Sequence, residues 1–109
     1  MTVDEKIVNT VEEATSFKCY HLTYTGADSV YFVFNYFTRP EVFSNQAQFE
    51  RYRIQIHLFA PVTFNSSDLK KALKNALETN GFTYPTETDA SDTQTQHVVF
   101  ETVLIRGRV

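Results

Sequence analysis

Cysteine is nearly missing from this chain. Cys19 stands alone, so no intrachain disulfide can form, and a single thiol suits a reducing compartment. Glycine is scarce as well, at three positions. That leaves no glycine-rich loop to cradle a phosphate or to build an oxyanion hole. There is no basic excess either. The formal net charge is −3, whereas a dedicated nucleic-acid binder usually carries a basic face. Long apolar runs are absent. The longest, residues 30–37, is interrupted by Asn35 and is far too short to span a bilayer. Nor does the chain open on a basic segment followed by an apolar run, as a secretory signal would.

What the chain does have is aromatic bulk and clear periodicity. Ten Phe and six Tyr in 109 residues can fill a core, and the length predicts a single domain over residues 1–109. Residues 49–61 organise the rest. Tyr52, Ile54, Ile56 and Leu58 alternate with Arg51, Arg53, Gln55 and His57, the period-two pattern of a half-buried strand. Pro61 ends it. Residues 66–80 then change period. Leu69, Ala72, Leu73, Ala76 and Leu77 form one helical stripe, with Ser66, Ser67 and Asp68 as N-cap candidates and Gly81 as the stop. The strand and helix each need a cover, and each is the other's nearest.

Residues 1–14 predict a helix. Thr2 and Glu5 have capping-box spacing, and Val3, Ile7, Val11 and Ala14 make its stripe. A strand follows over 17–24, then turn chemistry at Thr25, Gly26, Ala27, Asp28 and Ser29. A second strand, 30–37, is apolar at nearly every position, so both of its faces want cover, from its own chain or from another subunit. Residues 38–48 read as a long loop holding Val42 and Phe43, with Pro40 stiffening its start. Residues 86–95 read as an exposed, mobile acidic loop with Glu87, Asp89 and Asp92. The last strand spans 96–106, with Val98, Phe100, Thr102 and Leu104 on one face. The expected fold is therefore α+β, a single small antiparallel or mixed four-stranded sheet with two packed helices, in the order α-β-β-β-α-β.

Chemistry-bearing groups are sparse. His21, His57 and His97 lie in different predicted strands and would make a zinc site only if the strands converged. Solvent-face or interface histidines are the plainer reading. Cys19 and His21 share a strand face, yet a Cys–His nucleophile also needs an orienting group and an oxyanion hole. Glu50 and Glu101 form an acid pair only if register sets them opposite. Arg51 and Arg53 could hold phosphate, though a solvated face near Glu101 explains them as well. No catalytic, cofactor or metal site is expected, and the chain reads as a non-enzyme. The lysine-bearing run 67–75 superficially resembles the helix of double-stranded-RNA-binding domains. The acidic balance, the strand after the helix and the missing glycine-rich turn all stand against that. A small intracellular RNA- or peptide-binding module is thus the alternative reading.

The layout of residues 49–60, the leucines of 69–77 with Asn80, Gly81 and Phe82, and the final strand with His97, Val98, Val99 and Phe100 resembles the tail-terminator (tail completion, head–tail joining) proteins of long-tailed bacteriophages. The likeness covers nearly the whole chain and rests on layout. It implies a small sheet with packed helices, a homo-oligomer in the form of a hexameric ring, a place in the virion at the head–tail interface, and host cytoplasm during assembly. The implied partners are the tail tube protein and the head completion or connector protein, with no sequence-specific nucleic acid and no membrane. Under this resemblance Arg39, Val42 and Phe43 would contact a neighbouring subunit or the tail tube. Glu87, Asp89 and Asp92 would line a DNA passage or simply be solvated.

Overall fold

A computed structural model describes residues 1–43 and 46–107, with only the backbone described over 40–43 and 46–48. The elements are α1 (Val3–Thr15), β1 (Cys19–His21), β2 (Tyr31–Phe43), β3 (Gln46–Pro61), α2 (Ser67–Thr79), β4 (Thr86–Asp89) and β5 (Thr95–Gly107). The fold is α+β, with two helices and a mixed sheet among the described residues.

Local chemistry sets the helix ends. At α1 the capping box forms in full. The Glu5 N–H donates to Thr2 Oγ1 at 3.1 Å, and the Thr2 N–H donates to Glu5 Oε1 at 3.2 Å. At α2 the expected serine cap is absent. Ser66 instead donates its hydroxyl to Gln96 Oε1 of β5, while Asn65 Oδ1 accepts from the Ser67 N–H at 3.1 Å. Gly81 stops the helix as expected. Its φ of 91° is open to a residue without Cβ, and it lets the Phe82 N–H donate back to Leu77 O at 2.9 Å, closing the last turn.

The sheet order is β1-β2-β3-β5-β4. β1 runs parallel to β2, and the other pairings are antiparallel. Three expectations are corrected. Among the described residues the sheet has five strands, because residues 86–89 of the predicted acidic loop form β4 along β5. Glu87 explains this: its carboxylate bonds Lys70 at 3.1 Å and Lys74 at 2.7 Å, which ties an acidic segment to α2. The predicted loop 38–48 is instead the far end of a hairpin. β2 continues to Phe43 and β3 begins at Gln46, so Arg39, Val42 and Phe43 are strand residues; positions 44 and 45 of that loop lie outside the described residues. Pro40 is tolerated because it pairs with Glu50 at a position whose N faces away from β3. Finally, β1 is shorter than predicted. Leu22 takes a left-handed φ of 72° and turns the chain aside.

Both helices cover one face. Ile7, Val11, Leu73 and Leu77 are buried in one cluster with Phe32, Phe34, Ile54, Ile56, Leu58, Val98, Phe100 and Leu104. These strand residues are the even-numbered ones, all on one side of the pleat. The helices are short for the strands they cover. Thirteen helical residues span roughly 20 Å. The 16 residues of β3, at roughly 3.3 Å each, account for the 52 Å long axis. The far end of the β2–β3 hairpin therefore runs on past the helices, and with the end of β5 beside it forms an arm.

Candidate docking face and arm

The odd-numbered residues of β2, β3 and β5 make the second face, which neither helix covers. It divides into two halves. Nearest the β1 end lies an aromatic and histidine cluster. Tyr20 stacks on Tyr24 at 4.2 Å, Tyr24 meets Tyr31 at 4.7 Å, Tyr31 meets Phe59 at 5.3 Å, and Phe59 stacks on His97 at 4.3 Å. Tyr24, Tyr31, Phe59 and His97, with the exposed Leu22, line an open groove of about 460 Å³. Aromatic pairs at such distances stabilise by roughly 0.5–1.5 kcal/mol beyond their burial, so the cluster is held in place before anything docks on it.

His57 and His97 do meet, through Nδ1 and Nε2 at 2.9 Å, and Asn35 Oδ1 lies 3.3 Å from the other His57 nitrogen. Burial and the neighbouring His97 hold the His57 pKa below its ordinary value. His21 goes elsewhere. It stacks on Phe34 on the helix side and lies 3.3 Å from Asp4. Among the described residues no group of three metal-ligating side chains forms. Cys19 is buried, and burial followed by the charge of Glu12 pushes its thiol up to about 12. It stays protonated at neutral pH, which removes the thiolate that a Cys–His nucleophile needs. Glu50 and Glu101 are not brought together: Glu50 lies opposite Arg106, and Glu101 opposite Gln55.

The other half of the open face is the arm. Arg39 lies opposite Arg51 on β3, and Arg51 opposite Ile105 on β5. Phe37, Phe49 and Ile105 are exposed at 68%, 39% and 52%, a large apolar exposure for one end of a small domain. Val42 and Phe43 pair with Ala47 and Gln46 at the backbone. Strand periodicity predicted the sidedness of this face. The arm was missed because residues 38–43 carry Pro and Glu, which read as loop chemistry.

Glu87, Asp89 and Asp92 sit at the opposite end of the molecule from the arm. Glu87 is held below its ordinary pKa by Lys74 first and Lys70 as well. Asp89 accepts from the Ser91 N–H, and Asp92 from those of Gln94 and Thr95. Lys70 and Lys74, on the helix that carries the RNA-binding alternative, are thus bonded to Glu87. No helix among the described residues is long and apolar enough to cross a membrane. No known protein family and no curated protein matches this chain.

Proposed function

We propose that this chain is a structural assembly subunit, a tail terminator like those of long-tailed bacteriophages. It forms a hexameric ring that caps the tail tube and joins it to the head connector. The observation that supports this most is the helix-free face of the β2, β3 and β5 ribbon, where Phe37 and Ile105 are exposed. A lone domain gains nothing from such surface, whereas a ring subunit covers it with the next copy. Arg39, Val42 and Phe43 belong to the same arm and are the residues that contact the adjacent subunit or the tail tube. At the far end the carboxylates of Asp89 and Asp92, which accept from backbone N–H groups of their own loop, keep a passing DNA from adhering.

The test is electron imaging of the protein mixed with purified tail tubes. Rings seated on one end of the tubes are expected. Tubes that stay uncapped beside a protein that stays monomeric would overturn the reading.

A further inference from the structure

We propose that copies of this chain join by parallel strand addition, the β5 edge of one copy continuing the β2 edge of the next. This rests on the ring reading above and specifies how its subunits meet.

Backbone directions define both edges. The Phe32 N–H donates to Lys18 O at 2.9 Å and the Leu22 N–H to Phe34 O at 2.8 Å. The N–H and C=O groups of even-numbered β2 residues therefore point away from β3. Because β1 ends at His21 and Leu22 turns aside, no strand among the described residues lies beside the Tyr36 carbonyl or either group of Thr38. On β5 the odd-numbered groups point outward. The Thr83 N–H donates to Val103 O, and the Val103 N–H to Thr83 Oγ1, each at 2.9 Å. Past Val103 no strand among the described residues lies beside Ile105 and Gly107.

The two edges fit each other. β2 and β5 are both antiparallel to β3, so they run the same way, and a sheet continued from copy to copy pairs them in parallel. In a parallel ladder one residue bridges two positions on its neighbour. Thr38 of one copy then sits between Ile105 and Gly107 of the next. Its N–H donates to Ile105 O, its carbonyl accepts from the Gly107 N–H, and the Tyr36 carbonyl accepts from the Ile105 N–H. The next donor in line would be residue 40, which is Pro and has none, so the ladder stops there. The same register sets Phe37 beside Ile105 on the open face, where both are exposed. Pairing β2 with β2 of a second copy would instead put Pro40 inside the ladder. The two edges lie on opposite sides of one ribbon, so the contact is heterologous and closes into a ring when its rotation permits.

The experiment uses two proline variants, Thr38→Pro and Ile105→Pro. Each removes an outward N–H that no strand of the same chain uses, as Pro40 already does. Sedimentation is measured at a concentration where the wild-type chain forms rings. Each variant alone is expected to be monomeric, its assembly weakened at least about tenfold. Mixed in equal amounts they are expected to form a heterodimer, because Thr38→Pro keeps a working β5 edge and Ile105→Pro a working β2 edge. A second variant avoids any folding defect from proline: Phe37→Cys with Ile105→Cys in a Cys19→Ser background. Within one chain these positions are two strands apart, roughly 10 Å, and cannot be bridged. Between copies, parallel neighbours lie about 4.8 Å apart and can be, so oxidation should link neighbouring copies. Proline variants that assemble like wild type, or rings that yield no cross-link, would overturn strand addition and leave the ring reading standing. A wild-type chain that stays monomeric, alone and with tail tubes, would overturn both.

Discussion

The two faces of the sheet come from the same strands and could hardly differ more. On the helix side Phe32, Phe34, Ile54, Ile56, Leu58 and Phe100 are buried, with no more than 1% of any of them exposed. On the other side, one residue along each strand, stand Asn35, Gln55 and Glu101, with Phe37 and Ile105 exposed. The first face folds the chain, since burying a side chain of Leu or Phe size stabilises by roughly 1.5–3 kcal/mol. The arm half of the second, with Phe37 and Ile105 exposed, contributes little to folding and is open to other molecules. Substitutions on the first should therefore unfold the monomer, while those on the second should leave it folded and change what it joins.

The largest effect is expected at Leu73, fully buried in one cluster with Ile54 and Ile56. Leu73→Ala should cost ~2–5 kcal/mol in denaturant unfolding. A loss below about 1 kcal/mol would mean that α2 does not supply the sheet's cover. The opposite face gives the contrast. Phe37→Ser with Ile105→Ser should shift monomer stability by no more than about 0.5 kcal/mol per site while abolishing assembly in sedimentation. If the double variant unfolds, the arm is part of the monomer's core and the two-face division fails.

A smaller effect depends on pH. The folded state holds the His57 pKa below its ordinary 6.5, by burial first and by His97 second. The unfolded chain therefore takes up a proton more readily, and the associated stability is present above pH 6.5 and lost as pH falls through the lower folded value. Unfolding midpoints should drop on going from neutral to mildly acidic pH, and His57→Gln should flatten that drop. A profile unchanged by His57→Gln would show that the open-face histidines do not contribute. The smallest effect is expected at Glu87, whose lysine bonds lie near the surface. Glu87→Gln should cost under about 1 kcal/mol, with the acid-side loss setting in below the ordinary carboxylate value of 4.5. A cost of several kcal/mol would mean that β4 depends on this one carboxylate.

Much of the buried face was legible in the sequence because period two and period 3.6 are imposed by backbone geometry alone. The capping box of Thr2 and Glu5, the α2 stripe, and the inward set Val98, Phe100, Thr102 and Leu104 all follow from it. The arm did not, because residues 38–43 carry no apolar alternation to read. Residues 38–41 are Thr, Arg, Pro and Glu, and only the register with residues 49–52 makes them a strand. β4 was hidden for a related reason. Its acidic sequence looks like a loop until Lys70 and Lys74, remote in the chain, balance it. The meeting of His57 and His97 also needed register, which strand patterns alone do not supply.

Amide hydrogen exchange tests the central claim most directly, comparing dilute monomer with assembled protein. The core strands, from Ile54 to Leu58 and from Val98 to Thr102, should be protected in both states. The outward amides of Thr38, Ile105 and Gly107 should exchange freely in the monomer and become protected only on assembly. Protection of those three amides in the dilute monomer, or free exchange in the assembled state, would contradict the account.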